Sequence, residues 1–154
     1  MKREILLKLR KNPLEYVSGE QLSAALGVSR TAIWKVINEL KEEGYIIESS
    51  SKKGYRLNPD SDVLNSFEIS EALKTKALGK NIVYLDRIDS TSNYAKKIAL
   101  EGCEEGTLIV TDCQTQGRGR LGRDWNSPSK KGIWMSLVLR PDIPFEQVQM
   151  LTLA

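Results

Sequence analysis

The chain has 154 residues, 40% apolar and 28% charged, an ordinary composition for one medium or two small packed domains. It has no histidine, and its two cysteines, Cys103 and Cys113, stand ten apart. This excludes Cys/His zinc centres, C-x-x-C redox chemistry and any nucleophile that relies on a histidine base. The net charge is +3 and its excess lies early: residues 1–60 carry 11 Lys and Arg against 8 Asp and Glu, residues 61–154 carry 12 of each. That asymmetry points to nucleic acid.

The opening "MKREILLKLRKNP" is too charged for the apolar region of a signal peptide. No apolar run approaches ~18 residues, so no membrane-spanning helix and no membrane partner are expected, and a cytoplasmic location is. Ile5, Leu6 and Leu9 give the opening helix an apolar stripe, and Asn12-Pro13 ends it. A second helix is expected from Ser18, which forms a capping-box pattern with Gln21 while Val17 and Leu22 sit at staple spacing, to about Gly27. Ser29 is a fresh N-cap for a third helix to about Glu43, with Gly44 as its stop and Ile33, Val36, Ile37 and Leu40 as its buried stripe.

Two helices joined by a short turn around Gly27 read as a helix-turn-helix. Arg30, Thr31, Trp34, Asn38 and Lys41 recur at helical spacing away from the buried stripe. In such a motif the second helix enters the major groove, where Arg reads guanine, Asn reads adenine and Thr meets a thymine methyl. A solvated polar face accounts equally for Arg30, Asn38 and Lys41, but a large aromatic, Trp34, on that face points to a partner. Tyr45 to Ser49 and "GYRL" form a hairpin whose turn holds Lys52 and Lys53, the wing of a winged helix. The lysines would contact phosphates. The expected DNA-contacting set is Ser29, Arg30, Thr31, Trp34, Lys35 and Asn38, with Lys52 and Lys53. The turn-rich "NPDSDVLNS" places the boundary: a DNA-binding domain over 1–58, a linker over 59–65 and a second domain over 66–154.

The second domain alternates. "EISEALKTKAL" reads as a helix, "NIVYLDRI" as a strand, "DSTSNYAKKIALEG" as a capped helix, "GTLIVTD" and "GIWMSLVLRP" as strands, and "PFEQVQMLTLA" as the start of a helix. The chain stops inside that apolar helix with no C-cap, so it is expected to be a fragment.

Between the last two strands lies "QTQGRGRLGRDWNSP". Gly117, Gly119 and Gly122 have the G-x-G-x-x-G spacing of a dinucleotide loop. That reading, which would make the chain a dinucleotide-dependent oxidoreductase, requires the loop to open a helix. Pro128, Gly132 and a strand follow instead, so no helix N-terminus is there to hold a pyrophosphate. Residues 117–131 hold five cations and one acid, with glycines that permit close backbone approach. Guanidinium groups fork onto phosphate oxygens, and Trp125 adds apolar surface. A disordered basic surface loop is the bland alternative; a loop that closes over an anion is the sharper one.

"GRGRLGRDWNSP" resembles the G-R-G-R-x-G-R-x-W-x-S-P signature of biotin–protein ligases, and "DSTSNYA" resembles their D-S-T-N motif. A winged helix in front resembles the bifunctional members of that family, the biotin operon repressors. The resemblance implies a winged helix-turn-helix, mainly α with a β hairpin, followed by a truncated α+β ligase domain of the class II aminoacyl-tRNA synthetase and biotin ligase kind. Family members join biotin to ATP, with Mg²⁺, to give biotinyl-5′-adenylate and pyrophosphate. They then pass biotin to a lysine of the biotin carboxyl carrier protein of acetyl-CoA carboxylase. The adenylate-bound homodimer binds operator DNA.

By the same resemblance Ser90 and Thr91 hold the biotin head group, and Ser92 stands where the family has Asn, with Asn93 as its substitute. Gln114 lines the site. Gly117, Arg118, Gly119, Arg120 and Arg123 belong to the loop that closes on biotin and adenylate, and Trp125 and Pro128 to its far end. Arg118 and Arg120 are the expected catalytic residues, Arg120 retaining the adenylate. Attack of a carboxylate on the α-phosphate needs charge neutralisation rather than a nucleophilic side chain, which suits a chain without histidine. No protein metal ligand is implied. The family's K-W-P-N-D-like stretch does not occur before Ala154, so this chain alone is expected to be inactive as a ligase. The other reading is a transcription regulator whose degenerate ligase domain senses a ligand without catalysis.

Overall fold

The computed structural model describes residues 1–152, and the chain divides into two compact units, Met1–Phe67 and Glu68–Ala154. In the first, α1 (Lys2–Lys11), α2 (Gly19–Leu26) and α3 (Arg30–Glu42) precede an antiparallel hairpin of β1 (Ile47–Ser50) and β2 (Gly54–Leu57). The register pairs Ile47 with Leu57 and Ser50 with Gly54. Ile5, Leu6 and Leu9 of α1, Leu22 of α2, Ile33, Val36, Ile37 and Leu40 of α3, and Tyr45, Ile47 and Leu57 of the hairpin segment form one buried cluster. Each fully buried Leu or Ile contributes about 1.5–3 kcal/mol of transfer free energy, so this stripe-on-stripe burial holds the helices together.

Local signals place the helix ends. The Ser18 hydroxyl accepts from Gln21 N at 3.0 Å and the Gln21 side chain accepts from Ser18 N at 2.9 Å, a complete capping box. The Ser23 hydroxyl donates to the Val28 carbonyl inside the turn, and Ser29 caps α3 by accepting from Ala32 N at 3.2 Å. One feature was not visible in the periodicity. Val17 exchanges both backbone hydrogen bonds with Tyr55, at 2.8 and 2.9 Å, so the segment entering α2 lies alongside the wing. Gly54 permits this approach: its φ is +102°, and a Cβ there would sit 2.2 Å from the Val17 carbonyl oxygen. Beyond the hairpin, Ser61 accepts from Ile46 N at 2.9 Å, and Val63 and Phe67 pack on the core, so residues 59–65 are tied to the first unit.

The second unit has α4 (Ser66–Ala72, which begins two residues before it), β3 (Ile82–Leu85), α5 (Thr91–Leu100), β4 (Leu108–Thr111) and β5 (Trp134–Leu137). The sheet order is β3-β4-β5, with β3 and β4 parallel and β4 and β5 antiparallel. All four residues of the central strand β4 are buried, whereas β5 alternates half-buried Trp134 and Ser136 with exposed Met135 and Leu137. The parallel pair needs a crossover, and α5 supplies it, packing Ala95 with Ile109 and Val138.

Two expected helices differ. The helix expected over "EISEALKTKAL" occupies Ser66–Ala72 instead. None of its residues is buried, so packing does not extend it, and after it the Thr75 hydroxyl bonds the Leu78 carbonyl while Gly79 N–H bonds the Gly106 carbonyl at 2.7 Å. The helix expected after Pro144 takes 3-10 form over Phe145–Thr152, and its last two residues lie outside the described ones.

Candidate functional site: a basic-lidded cleft and a winged-helix face

The cleft forms where the parallel crossover starts. Ser90 and Thr91 enter α5 and are almost fully buried, at 1% and 4% exposed. Ser90 is the N-cap by position, yet its side chain makes no cap hydrogen bond. Gln114, just past β4, takes over part of that work: its Oε1 accepts from Thr91 N at 2.8 Å and from Thr91 Oγ1 at 3.1 Å. Gln114 Nε2 donates to Ser127 Oγ at 2.8 Å, and Ser136 Oγ of β5 donates to Thr91 Oγ1 at 2.9 Å. One amide thus links the helix start to the far end of the glycine loop, and Thr91 carries the chain of bonds on to β5.

Ser90, Thr91, Ser92, Gln114, Arg118, Gly119, Arg120 and Trp125 line a cleft of about 350 Å³, together with Ile133, Trp134, Met135 and Ser136. Three residues of the expected set are not brought to it. The Asn93 amide donates to Asp89 Oδ2 at 3.2 Å, so Ser92, not its neighbour, faces the cleft. Gly117 is buried beneath the loop and lines a second hollow on its outer side. Arg123 offers its carbonyl to Gly119 N at 2.7 Å and its side chain is exposed. Ser127 and Ser136 were missed by sequence reasoning. The signal for Ser136 is a lone hydroxyl on the half-buried face of an otherwise apolar strand; Ser127 had only its place before Pro128.

The loop folds back on itself. Trp125 N donates to the Gly117 carbonyl at 2.8 Å, the backbones of Arg118 and Asp124 pair as an isolated antiparallel bridge, and the tip is a 3-10 turn over Arg120–Gly122. Leu121 at the tip has φ +59° and is 94% exposed. Among the described residues, Arg118, Arg120 and Arg123 form no salt bridge, so their donors are available to an anion. At the cleft mouth, Ser90 N–H and the Asn93 amide hold the Asp89 carboxyl below its ordinary range, and the Arg118 charge adds to this. On β3, burial and then Asp112 and Asp86 push the Tyr84 phenol up to about 12.

In the first unit, Arg30, Thr31 and Lys35 are exposed on α3, Trp34 is 55% exposed and Asn38 is half-buried, all clear of the core. Ser29 spends its hydroxyl on the cap. Lys41 donates to Ser49 Oγ at 2.8 Å, bracing helix against wing. Lys52 is exposed at the wing tip, and Lys53 lies 5.8 Å from the Tyr16 ring centroid. The same ring carries the Arg56 guanidinium at 4.9 Å, Arg56 donates to both Glu48 oxygens at 2.9 and 2.7 Å, and the Tyr16 hydroxyl donates to Glu48 at 2.7 Å. The Tyr16 hydrogen bond, then Arg56, hold Glu48 below its ordinary value, and Glu48 in turn raises Tyr16. Glu48 and Arg56 are cross-strand partners, a pairing readable once the hairpin register is known.

Residues 2–56 match an HTH domain, and residues 84–153 match the biotin/lipoate A/B protein ligase family. The chain therefore joins a helix-turn-helix unit to a segment of a biotin/lipoate ligase domain. It is 50% identical over 139 residues to the bifunctional ligase/repressor BirA of Bacillus spizizenii, covering 90% of this chain and 43% of the relative. It is 36% identical over 126 residues to the protein of that name from Escherichia coli, covering 82% and 38%. A solved biotin protein ligase from Aquifex aeolicus, in complex with biotin and ATP, is 40% identical over 40% of this chain and 25% of that one, with a TM-score of 0.34. Over most of its length the chain is similar to curated bifunctional ligase/repressors, and it spans less than half the length of those relatives. Among the described residues no helix is long and apolar enough to cross a membrane.

Proposed function

We propose that this chain carries the operator-binding unit and the first part of the active site of a cytoplasmic biotin–protein ligase. The observation that carries the reading is the convergence of Ser90, Thr91 and Gln114 with Arg118 and Arg120 on one cleft. The ureido ring of biotin is neutral and rich in donors and acceptors, which suits hydroxyls and an amide. Its carboxylate oxygen attacks the α-phosphorus of ATP, the bond to the bridging oxygen of the β-phosphate breaks, and pyrophosphate leaves. Arg118 and Arg120 neutralise the charge that builds on the α-phosphate oxygens, the kind of fixed electrostatic aid that accelerates such a displacement most. Arg120 retains the biotinyl-5′-adenylate until a lysine of the biotin carboxyl carrier protein of acetyl-CoA carboxylase arrives.

Mg²⁺ would come with the nucleotide. Among the described residues no group of three or more His, Cys, Asp or Glu could hold a metal ion, and Mg²⁺ bound mainly through phosphates needs no such cage. Trp34, Arg30, Thr31, Lys35 and Asn38 read the operator major groove, and Ser29, Lys52 and Lys53 meet the backbone. Adenylate binding favours a homodimer that spans a two-part operator. Relatives described as both ligase and repressor favour this reading over a regulator with a degenerate sensor domain.

Titration calorimetry of the chain with biotin, alone and with MgATP, tests the cleft: heat of binding is expected for biotin, and none for NAD. Fluorescence anisotropy with operator DNA tests the other half. Affinity unchanged by biotin plus ATP sinks the linkage between the two. Carrier-protein biotinylation by this chain alone is expected to show no turnover.

A further inference from the structure

We infer that Ser127, at the far end of the basic loop, is a positioning residue that fixes the Gln114 amide so that the cleft is offered a hydrogen-bond donor there. This rests on the reading of the cleft as a biotin site. The hydrogen bonds around Gln114 have only one consistent direction. A backbone N–H can only donate, so the Thr91 N–H at 2.8 Å fixes which end of the amide is oxygen. That oxygen also takes the Thr91 hydroxyl hydrogen at 3.1 Å. Thr91 Oγ1 in turn receives the Ser136 hydrogen at 2.9 Å. The amide nitrogen therefore faces Ser127 Oγ at 2.8 Å and must donate to it. The Ser127 hydroxyl, acting as acceptor there, sends its own hydrogen to the Trp125 carbonyl at 3.3 Å.

Every hydroxyl hydrogen along Ser136–Thr91–Gln114–Ser127 is thus committed, and among the described residues one hydrogen of Gln114 Nε2 is left for a ligand. A bound group meeting it must be an acceptor, such as the oxygen of a cyclic urea. Ser127 itself is 2% exposed and does not line the cleft, so it acts through Gln114. The surroundings hold it in place: Gln114 N donates to the Ser127 carbonyl at 3.1 Å, and a Cβ on Gly117 would come within 2.6 Å of Ser127 Oγ. The same hydroxyl reaches Trp125, so it ties the cleft floor to the lid.

The test is a double-mutant cycle of Ser127→Ala and Gln114→Ala in this chain, with two readouts. The first needs no ligand: amide hydrogen exchange at Thr91, whose N–H leans on Gln114. Ser127→Ala is expected to speed it roughly tenfold by freeing the amide. The second is the biotin Kd by calorimetry. Ser127→Ala is expected to raise it roughly tenfold in the native background and to have no further effect once Gln114 is Ala, because a residue acting only through another shows full non-additivity. Unchanged Thr91 exchange, or equal effects on Kd in both backgrounds, overturns the inference. If the native chain takes up no biotin, the proposed function fails and the exchange rate alone decides the positioning role. Should Ser127→Ala not fold, Ser127→Cys, close in size and weak in hydrogen bonding, carries the same two readouts.

Discussion

The two units bury different things. Among the described residues the first hides eleven apolar residues in one cluster; the second hides five, of which Ala95, Ile109 and Val138 form a cluster with partly buried neighbours. Every buried polar residue among the described ones, Ser90, Thr91, Thr107, Thr111 and Ser127, is in the second. The second also exposes apolar side chains around its cleft, including Trp125, Ile133 and Met135. In the first unit the core and the proposed DNA face are opposite sides of α3, so stability and binding are separable. In the second, the buried Thr91 and Ser127 are joined through Gln114 at the cleft, so a change to either touches fold and site together.

The sharpest way to break this comparison is to cut into each side of α3. Leu40→Ala removes a side chain with no exposure and is expected to cost about 2–5 kcal/mol, read as a lowered urea midpoint by circular dichroism at 222 nm. Trp34→Ala, on the other side of the same helix, is expected to leave that midpoint in place and weaken operator binding. If the two variants lose stability equally, Trp34 belongs to the core and the separation is wrong.

A pair of glycines comes next. Gly54→Ala forces a Cβ to 2.2 Å from the Val17 carbonyl at φ +102°, and Gly117→Ala forces one to 2.4 Å from the Trp125 carbonyl. Both backbones must shift, at about 1–3 kcal/mol each. Thermal unfolding is expected to register both, whereas only Gly117→Ala abolishes biotin binding and only Gly54→Ala weakens DNA binding.

The contrast also explains what could be read from the residues alone. Ile33, Val36, Ile37 and Leu40 recur at helical spacing, and Ser18 with Gln21 announces a helix start. Apolar stripes and caps are local patterns, and they placed all three helices and the wing of the first unit. The strands of the second unit were equally visible. Its site was legible only as the motifs around Ser90, Gln114 and Arg118, because their meeting depends on contacts across 23 residues or more. Ser136 bonds Thr91 across 45 positions, and no spacing rule encodes that. The Val17–Tyr55 pairing escaped for the same reason: it is a long-range backbone contact made by residues whose side chains carry no signal of it. The shortened α4 shows the converse: Phe67 packs on the first unit's core, but no residue of the helix is buried, so periodicity alone does not extend it.

Two serine N-caps give a smaller, cleaner test. Ser18→Ala breaks a complete capping box and is expected to lower stability by about 1 kcal/mol without touching biotin binding. Ser90→Ala removes a hydroxyl that makes no cap bond, so its effect is expected on biotin affinity in calorimetry and little on the melting temperature. A reversed outcome, with Ser90→Ala the more destabilising, would make Ser90 a structural cap and remove it from the proposed head-group set.

The smallest effect concerns acid. Glu48 is held below its ordinary value of 4.5 by Tyr16 and Arg56. A carboxylate depressed on folding contributes stability that is fully present above its unfolded value and is lost as pH falls through its folded one. Glu48→Gln is therefore expected to lower the melting temperature slightly at neutral pH, with the gap to the native chain closing as the pH drops below about 4.5. The pair is exposed, so salt screens it and the gap at neutral pH narrows as ionic strength rises. Asp89, held low at the cleft mouth by Ser90 and Asn93 with Arg118 nearby, obeys the same sign, so Asp89→Asn also loses its stability gap in acid. The two differ in what else moves. Neutralising Glu48 frees Arg56 and alters the salt dependence of DNA binding, whereas neutralising Asp89 alters only the cleft. Equal effects of Glu48→Gln on both ligands would show that the two units are not as separate in function as their interiors are in composition.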